Sequence, residues 1–378
     1  MKKPGFQIFA IAAPGLEQIL KDEIVSLGIE SADIVSGGVE FGGGWDVLWR
    51  ANLCSRIASR IVVRVDEFHA SSFHELERRA QRVQWPRFVR PGQQVAFRVT
   101  CRKSKLYHSD AVAQRLAEAV GKAGGGVATL AGPDDEESDE TSQLFIVRLS
   151  HDICTISADS SGALLHRRGY RKAIAKAPLR ETLAASMLIG SRWDLRSPLV
   201  DPMCGSGTIA IEGALMARRM APGVGRKFAF ENWPRHDAGR WSETINTVRN
   251  NSIDRAPAPI LASDRDAGAV EAARANAERA GVANDVELTQ KPLSSVEYPD
   301  SPGWIVTNPP YGLRVGESAP LRNLYAQFGN TVKAGAAGYH LALLSADRAL
   351  DAQLRVNLTE IFRTTNGGIP VRLVVGKP

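Results

Sequence analysis

Cysteine is scarce in this chain: four in 378 residues, at Cys54, Cys101, Cys154 and Cys204, with no two close together. That argues against a zinc site or a disulfide framework, and it fits a reducing, cytoplasmic compartment with no bound metal. No apolar run is long enough to span a membrane. The start, Met1-Lys2-Lys3 before Phe6–Ala13, imitates an export signal. However, Leu16, Ile19, Leu20, Glu23, Ile24 and Leu27 continue at helical spacing, so a strand and an amphipathic helix are expected instead. Internal repeats and low-complexity stretches are missing too. Excess charge is small, a formal +6 with pI near 9.2, which is compatible with a nucleic-acid partner and does not by itself identify one.

The length suffices for two or three domains, and 44% hydrophobic with 23% charged residues is ordinary for a packed globular chain. In order, the pattern predicts a strand at Phe6–Ala13, a helix at Leu16–Leu27 ended by Gly28, and a strand at Ile34–Phe41. A helix at Trp45–Cys54 and a strand at Ile57–Val65 follow. Then come a helix at Phe73–Trp85, a strand at Gln94–Thr100, a helix at Asp110–Lys122, an acidic loop at Pro133–Ser142 and a hairpin, Phe145–Leu149 with Ile153–Ser157. Trp45, Trp49 and Phe73 are expected in the core. Leu165–Arg180 is the most basic stretch, with Arg167, Arg168, Arg171, Lys172, Lys176 and Arg180 and no acid.

From Glu181 helices and strands alternate, which predicts a mostly parallel sheet covered by helices and closed by a hairpin, Leu358–Thr365 with Val371–Val375. Two stretches of this half carry chemistry. The first is Leu199–Ala210, Leu-Val-Asp-Pro-Met-Cys-Gly-Ser-Gly-Thr-Ile-Ala. An apolar strand ends in Asp201, and Gly205-Ser206-Gly207-Thr208 opens a helix. Glycines let backbone pass close under a ligand, and a helix N-terminus favours negative charge. Asp201 could accept from an ammonium group. This motif alone is shared with dinucleotide sites and with plain turns. A ribose-binding acid is expected at the end of the next strand. Asp264, in Ile-Leu-Ala-Ser-Asp, is preferred, though it could also cap the following helix; Glu231 is the rival.

The second stretch is Trp304–Gly312, Trp-Ile-Val-Thr-Asn-Pro-Pro-Tyr-Gly. It places Asn308, Pro309, Pro310 and Tyr311 at a strand end. A nucleobase amine is a poor nucleophile because its lone pair is delocalised. The Asn308 side-chain oxygen and the Pro309 carbonyl could accept its two hydrogens, and Tyr311 could stack on the base. With both stretches present, methyl transfer from S-adenosylmethionine to a nucleobase amine is the expected reaction. Such a site needs orientation and acceptors more than a strong base.

These residues, with Leu165–Arg171 and Ala177-Pro178-Leu179-Arg180-Glu181, make the chain resemble the THUMP-domain class I methyltransferases of the RlmL type, which act on guanine N2 of 23S rRNA. The resemblance implies a ferredoxin-like domain (1–60), a THUMP RNA-binding domain (61–160), a basic linker (161–180) and a Rossmann-like methyltransferase domain (181–378) with a seven-stranded, mostly parallel sheet. It implies S-adenosylmethionine as cofactor, held by Leu179, Glu181, Asp201, Cys204, Gly205, Ser206, Gly207, Thr208, Asp264 and Asn308. RNA is the implied partner. Arg102, Lys103 and Lys105 could bind its phosphates, and Arg167, Arg168, Tyr170 and Arg171 are expected contacts, because the six cations of Leu165–Arg180, without an acid, should repel one another unless a polyanion is near. Many relatives bind the adenine amine with an acid after the third strand. Here Leu288–Leu293 has none, so Gln290 or backbone is expected to substitute. A second methyltransferase domain, found in some relatives, is not expected.

Three alternatives share part of this pattern: a guanine-N2 enzyme acting on tRNA, an adenine-N6 enzyme acting on DNA, and an RNA-binding protein with a vestigial cofactor fold. A nicotinamide enzyme would leave Asn-Pro-Pro-Tyr unexplained.

Overall fold

The computed structural model describes residues 5–124, 128–130, 142–172, 179–299, 302–311 and 318–378. Most of the expected acidic loop, together with Lys176, Ala177, Pro178 and Gly312, lies outside the described residues. Two sheets organise the described chain. The front sheet contains β1 (Phe6–Ile11), β2 (Ala32–Val35), β3 (Gly38–Gly43), β4 (Arg60–His69), β5 (Val95–Arg102), β6 (Ala128–Leu130), β7 (Gln143–Ser150) and β8 (Ile153–Asp159), in the order β2-β3-β1-β4-β8-β7-β5-β6. Only β5 runs parallel to its neighbours.

This sheet crosses the expected division at residue 60. β4 pairs with β1 (Ile8 opposite Val63) and with β8 (Val62 opposite Asp159). The expected strand Ile34–Phe41 is two strands. Ser36-Gly37 turns the chain, with Gly37 at φ +86°, and β2 and β3 pair as a hairpin. A side chain at Gly38 would lie 2.0 Å from the Ala10 carbonyl oxygen, so glycine is what lets β3 close on β1.

Helices cover the sheet by ordinary amphipathic logic. In α1 (Glu17–Ser26), Leu20 and Ile24 are buried, continuing the row begun by Leu16. In α4 (Ser109–Lys122), Val112, Leu116 and Val120 form the same kind of row. α2 (Trp45–Cys54) and α3 (Phe73–Ala80) complete the front half.

The rear sheet contains β9 (Leu199–Asp201), β10 (Ile260–Asp264), β11 (Val286–Gln290), β12 (Trp304–Thr307), β13 (His340–Ser345), β14 (Leu358–Asn366) and β15 (Ile369–Gly376), in the order β11-β10-β9-β12-β13-β15-β14. The first five positions are parallel, and the terminal hairpin adds an antiparallel edge. β12 and β13 are almost wholly buried, as parallel strands with both faces covered must be. The order runs outward from β9 to β11, then returns to β12 on the other side of β9. Such a reversal opens a crevice at the carboxyl ends of the two central strands, where Asp201 and Asn308 stand.

The halves are joined by aromatics. Trp233, in the segment before α7 (Ala238–Asn250), meets Phe6, Trp45 and Phe88 edge-on, and its ring N–H donates to the Gln143 side chain at 2.7 Å. Trp49 is buried against Trp241, as expected for core, whereas Trp45 is half-buried. Phe73 is half-buried beneath the Arg115 guanidinium.

Candidate active site

The crevice is built by four chain segments. Asp201 ends β9 and is buried. Its carboxylate accepts from the Thr307 hydroxyl at 2.7 Å, across the strand pair that flanks the reversal. Burial pushes the Asp201 carboxyl up to about 7, and the nearby Asp264 charge adds to the rise.

The glycine turn between β9 and α6 (Thr208–Ala217) is tied down from three directions. Cys204 N–H donates to the Ser263 carbonyl at 2.9 Å, and Gly207 N–H donates to the Cys204 carbonyl at 2.8 Å. The buried Asn276 of α8 (Ala267–Arg279) donates to the Ser206 carbonyl at 3.1 Å. Gly205 and Gly207 both have left-handed backbone, at φ +52° and +81°. Their surroundings differ. A side chain at Gly207 would lie 2.9 Å from the Ala273 methyl carbon, while one at Gly205 would meet open space. Gly207 is therefore required by packing of α6 on α8, and Gly205 lines the side where a ligand would lie. Ser206 and Thr208 are buried. Cys204 is buried too, and burial holds its thiol well above the ordinary range.

Asp264 ends β10, as expected, and its carboxylate accepts from Gly205 N–H at 2.9 Å and Asp266 N–H at 3.0 Å. Asp266, not Asp264, caps α8, accepting from Ala269 N–H at 3.1 Å. The rival Glu231 is occupied locally, accepting from Phe228 N–H at 2.8 Å. Gln290 stands opposite Asp264 in the β10–β11 register and donates to the Arg265 carbonyl at 3.3 Å.

At the end of β12, the Asn308 side-chain oxygen is fully buried with no hydrogen-bond partner among the described residues. A buried acceptor left unmatched costs about 1–3 kcal/mol, a cost most readily explained by a donor that arrives with a ligand. Pro309 is buried and Pro310 exposed. Tyr311 is half-buried. Its hydroxyl accepts from the Asn366 side chain at 2.6 Å, and burial raises its pKa. Asn366 sits just before the Gly367-Gly368 turn joining β14 to β15, where both glycines have positive φ. That turn signal was visible in the sequence. The partner, 55 residues earlier, was not.

The basic stretch corrects the sequence expectation. The Arg168 side chain turns inward and is nearly inaccessible. Its guanidinium donates to the Leu165 and Arg56 carbonyls at 2.5 and 2.6 Å and lies 3.6 Å from Glu212 of α6. Tyr170 is buried and donates to Glu212 at 3.1 Å. Arg171 donates to the Leu179 carbonyl at 2.7 Å and pairs at 3.2 Å with Glu181, the first residue of α5 (Glu181–Gly190). Arg168, Tyr170 and Arg171 thus do not form an RNA surface. Glu212, 44 residues beyond Arg168, and Glu181, which directly follows the stretch, supply the missing acid. Burial lifts the Glu181 carboxyl to about 7 even against Arg171. Of the expected RNA contacts in this stretch, Arg167 is exposed, as are Arg102, the last residue of β5, and Lys103 and Lys105 just beyond it. Leu179 and Glu181 are therefore placed by the Arg171 network beside α6, the helix that follows the glycine turn.

The donor set fits S-adenosylmethionine: a buried carboxylate at Asp201 for an ammonium group, a second carboxylate at Asp264, an open cradle over Gly205 and an unmatched acceptor at Asn308. Residues 168–374 match the family profile described as the RMKL-like methyltransferase domain. The chain belongs to this family. In front of the methyltransferase domain, residues 7–62 match the RlmL ferredoxin-like domain and residues 70–159 the THUMP domain. The chain is 36% identical to a ribosomal RNA large subunit methyltransferase K/L of Methylococcus capsulatus, over 97% of this chain and 50% of that protein. It is 32% identical to a Synechocystis sp. protein whose name assigns it provisionally to RNA methyltransferases, over 97% and 95% of the two chains. It thus spans about half the length of the K/L relatives and nearly all of the Synechocystis one. Among solved structures, a methyltransferase complexed with SAH superimposes with TM-score 0.89 at 28% identity, covering 99% and 98% of the two chains. A Listeria monocytogenes protein described as an N6-adenine-specific DNA methylase follows with TM-score 0.85 at 30% identity, over 98% and 96%. The methyltransferase fold and its S-adenosylmethionine dependence are therefore plain. Among the described residues no helix is long and apolar enough to cross a membrane, and no cluster of metal-ligating side chains occurs.

Proposed function

We propose that this methyltransferase modifies the exocyclic N2 amine of a guanine in RNA, with large-subunit ribosomal RNA as the substrate. The observation that carries the reading is the unmatched Asn308 oxygen at the carboxyl end of β12. When bound, S-adenosylmethionine supplies a methyl group on a positively charged sulfur. The chain's own residues do the rest. Asp201, Asp264 and the Gly205 cradle hold the cofactor. Asn308 accepts one hydrogen of the target amine and the Pro309 carbonyl the other, which turns the nitrogen lone pair toward the methyl group. Tyr311, steadied by Asn366, offers a flat face to a base taken out of its stack. As the new N–C bond forms, the bond from sulfur to the methyl carbon would break with its electron pair left on sulfur, and the nitrogen, now positively charged, would lose one proton to water.

The THUMP domain and the K/L relatives support RNA, and ribosomal RNA in particular. The name of the Listeria neighbour supports a second reading, adenine N6 in DNA, which the same acceptor pair would serve. Nucleoside mass spectrometry separates them. The protein is incubated with isotopically labelled S-adenosylmethionine and with rRNA, tRNA or DNA from a strain lacking the gene. Label in N2-methylguanosine of large-subunit rRNA is the expected result. The same nucleoside in tRNA alone would change the substrate, and labelled N6-methyladenine in DNA would overturn the proposal.

A further inference from the structure

Arg168 and Arg171 are paired with acids within the protein, so they offer little charge to RNA. The loop between β5 and α4 offers more. Arg102, Lys103 and Lys105 are all exposed there, and so is an aromatic pair. Tyr107 is 71% exposed, and its ring lies 4.1 Å from that of His108 at an interplanar angle of 42°. We propose that Tyr107 and His108 form a stacking platform for an unpaired nucleotide of the RNA substrate, with Arg102, Lys103 and Lys105 holding the flanking phosphates. The proposal rests on the RNA reading above and names the element of RNA that the front half recognises.

The loop is held rigidly by its neighbours. Lys105 N–H donates to the Asp152 carboxylate at 2.7 Å, and Asp152 N–H donates back to the Ser104 hydroxyl at 3.0 Å. His151 N–H reaches the Arg102 carbonyl at 3.3 Å. His151 and Asp152 form the β7–β8 turn, both with positive φ, and Lys103 also has positive φ at 48°. Leu106 is buried and anchors the loop from below. An aromatic ring so presented needs little ordering when a base lands on it.

The charges around the platform favour a polyanion. Among the described residues, the acids in this loop's hydrogen-bond partners and in the first turn of α4 are Asp152, already engaged by Lys105 N–H, and Asp110. Three cations outweigh them. Exposed rings beside backbone-tracking cations are how proteins bind single-stranded nucleic acid, because every base has a flat face. A duplex, with its bases stacked inside, would use the cations and leave the ring idle.

The test uses the full chain with fluorescent single-stranded RNA and blunt duplex RNA across a salt series. Tyr107→Ala is expected to weaken single-strand binding roughly 5- to 100-fold with the salt slope unchanged. Tyr107→Phe should bind like wild type. The double variant Lys103→Ala/Lys105→Ala should instead flatten the slope by roughly 1.4. Affinity for S-adenosylmethionine checks folding and should be unchanged in all three. Undiminished binding by Tyr107→Ala, or an equal loss on blunt duplex, would overturn the platform while leaving an RNA methyltransferase standing. Failure of wild type to bind or methylate any RNA would overturn both, and point to a protein partner for this face.

Discussion

Replacing Arg168 with alanine distinguishes a cation that holds the protein together from one that holds RNA. The guanidinium serves two backbone carbonyls, Leu165 and Arg56, and faces Glu212, which is fully buried. Its removal leaves Glu212 with Arg56 at 3.9 Å and the Tyr170 hydroxyl. Taking one partner from a buried ion pair costs about 3–5 kcal/mol, most of it the penalty of the charge left behind. At about 1.3 °C per kcal/mol for a cooperative unit of 378 residues, the melting transition should fall by roughly 4–6 °C. Arg168→Lys should recover little, because an ammonium cannot span two carbonyls and a carboxylate as a planar fork does. The second readout is RNA affinity against salt. A lost phosphate contact would lower the slope by about 0.7–0.9, whereas an inward-facing arginine leaves it unchanged. Calorimetry and a binding titration at several salt concentrations settle the matter. A variant as stable as wild type with a slope reduced by about one would refute the reasoning.

Further outcomes follow from the crevice. Asp201 titrates near 7 when folded against about 3.9 unfolded. The folded state therefore holds a proton that the unfolded chain has released, so cofactor-free stability should fall as pH rises from about 4 to about 7. Affinity for S-adenosylmethionine should rise over the same window as the carboxylate forms, and Asp201→Asn should flatten that rise; an equally steep rise in the variant would remove Asp201 from cofactor binding. Gly207→Ala should cost about 1–2 kcal/mol of stability from backbone strain alone, with the Ala273 clash added. Gly205→Ala, facing open space, should spare stability relative to it and weaken cofactor binding more, as measured by thermal unfolding beside a ligand titration. Asn308→Ala should lower methylation at least about 100-fold while cofactor binding stays nearly intact; undiminished turnover would take Asn308 out of the mechanism.

Much of the molecule was legible residue by residue. Helix and strand order follow from local periodicity, which neighbours in sequence set. The glycine turn and the Asn-Pro-Pro-Tyr stretch announce themselves because backbone conformation and ligand chemistry there demand particular residues at fixed short spacing. Asp264 was found at a strand end, yet only the fold shows its carboxylate on Gly205 N–H, with helix capping left to Asp266. The turn at Ser36-Gly37 was read through as one strand, although its glycines stand in the sequence, because both arms of that hairpin carry strand-forming residues.

What only tertiary structure decided was the company each charged or polar group keeps. Leu165–Arg180 lacks an acid in sequence, and its cations looked like a surface awaiting RNA. Folding brings Glu212 and Glu181 against them, and burial makes those pairings obligatory. Asn366 on Tyr311 and Thr307 on Asp201 are likewise contacts between distant segments. Local pattern determines which elements form and which residues can do chemistry. Which side chains are spent on the structure, and which stay free to act, depends on what the packed chain places opposite them.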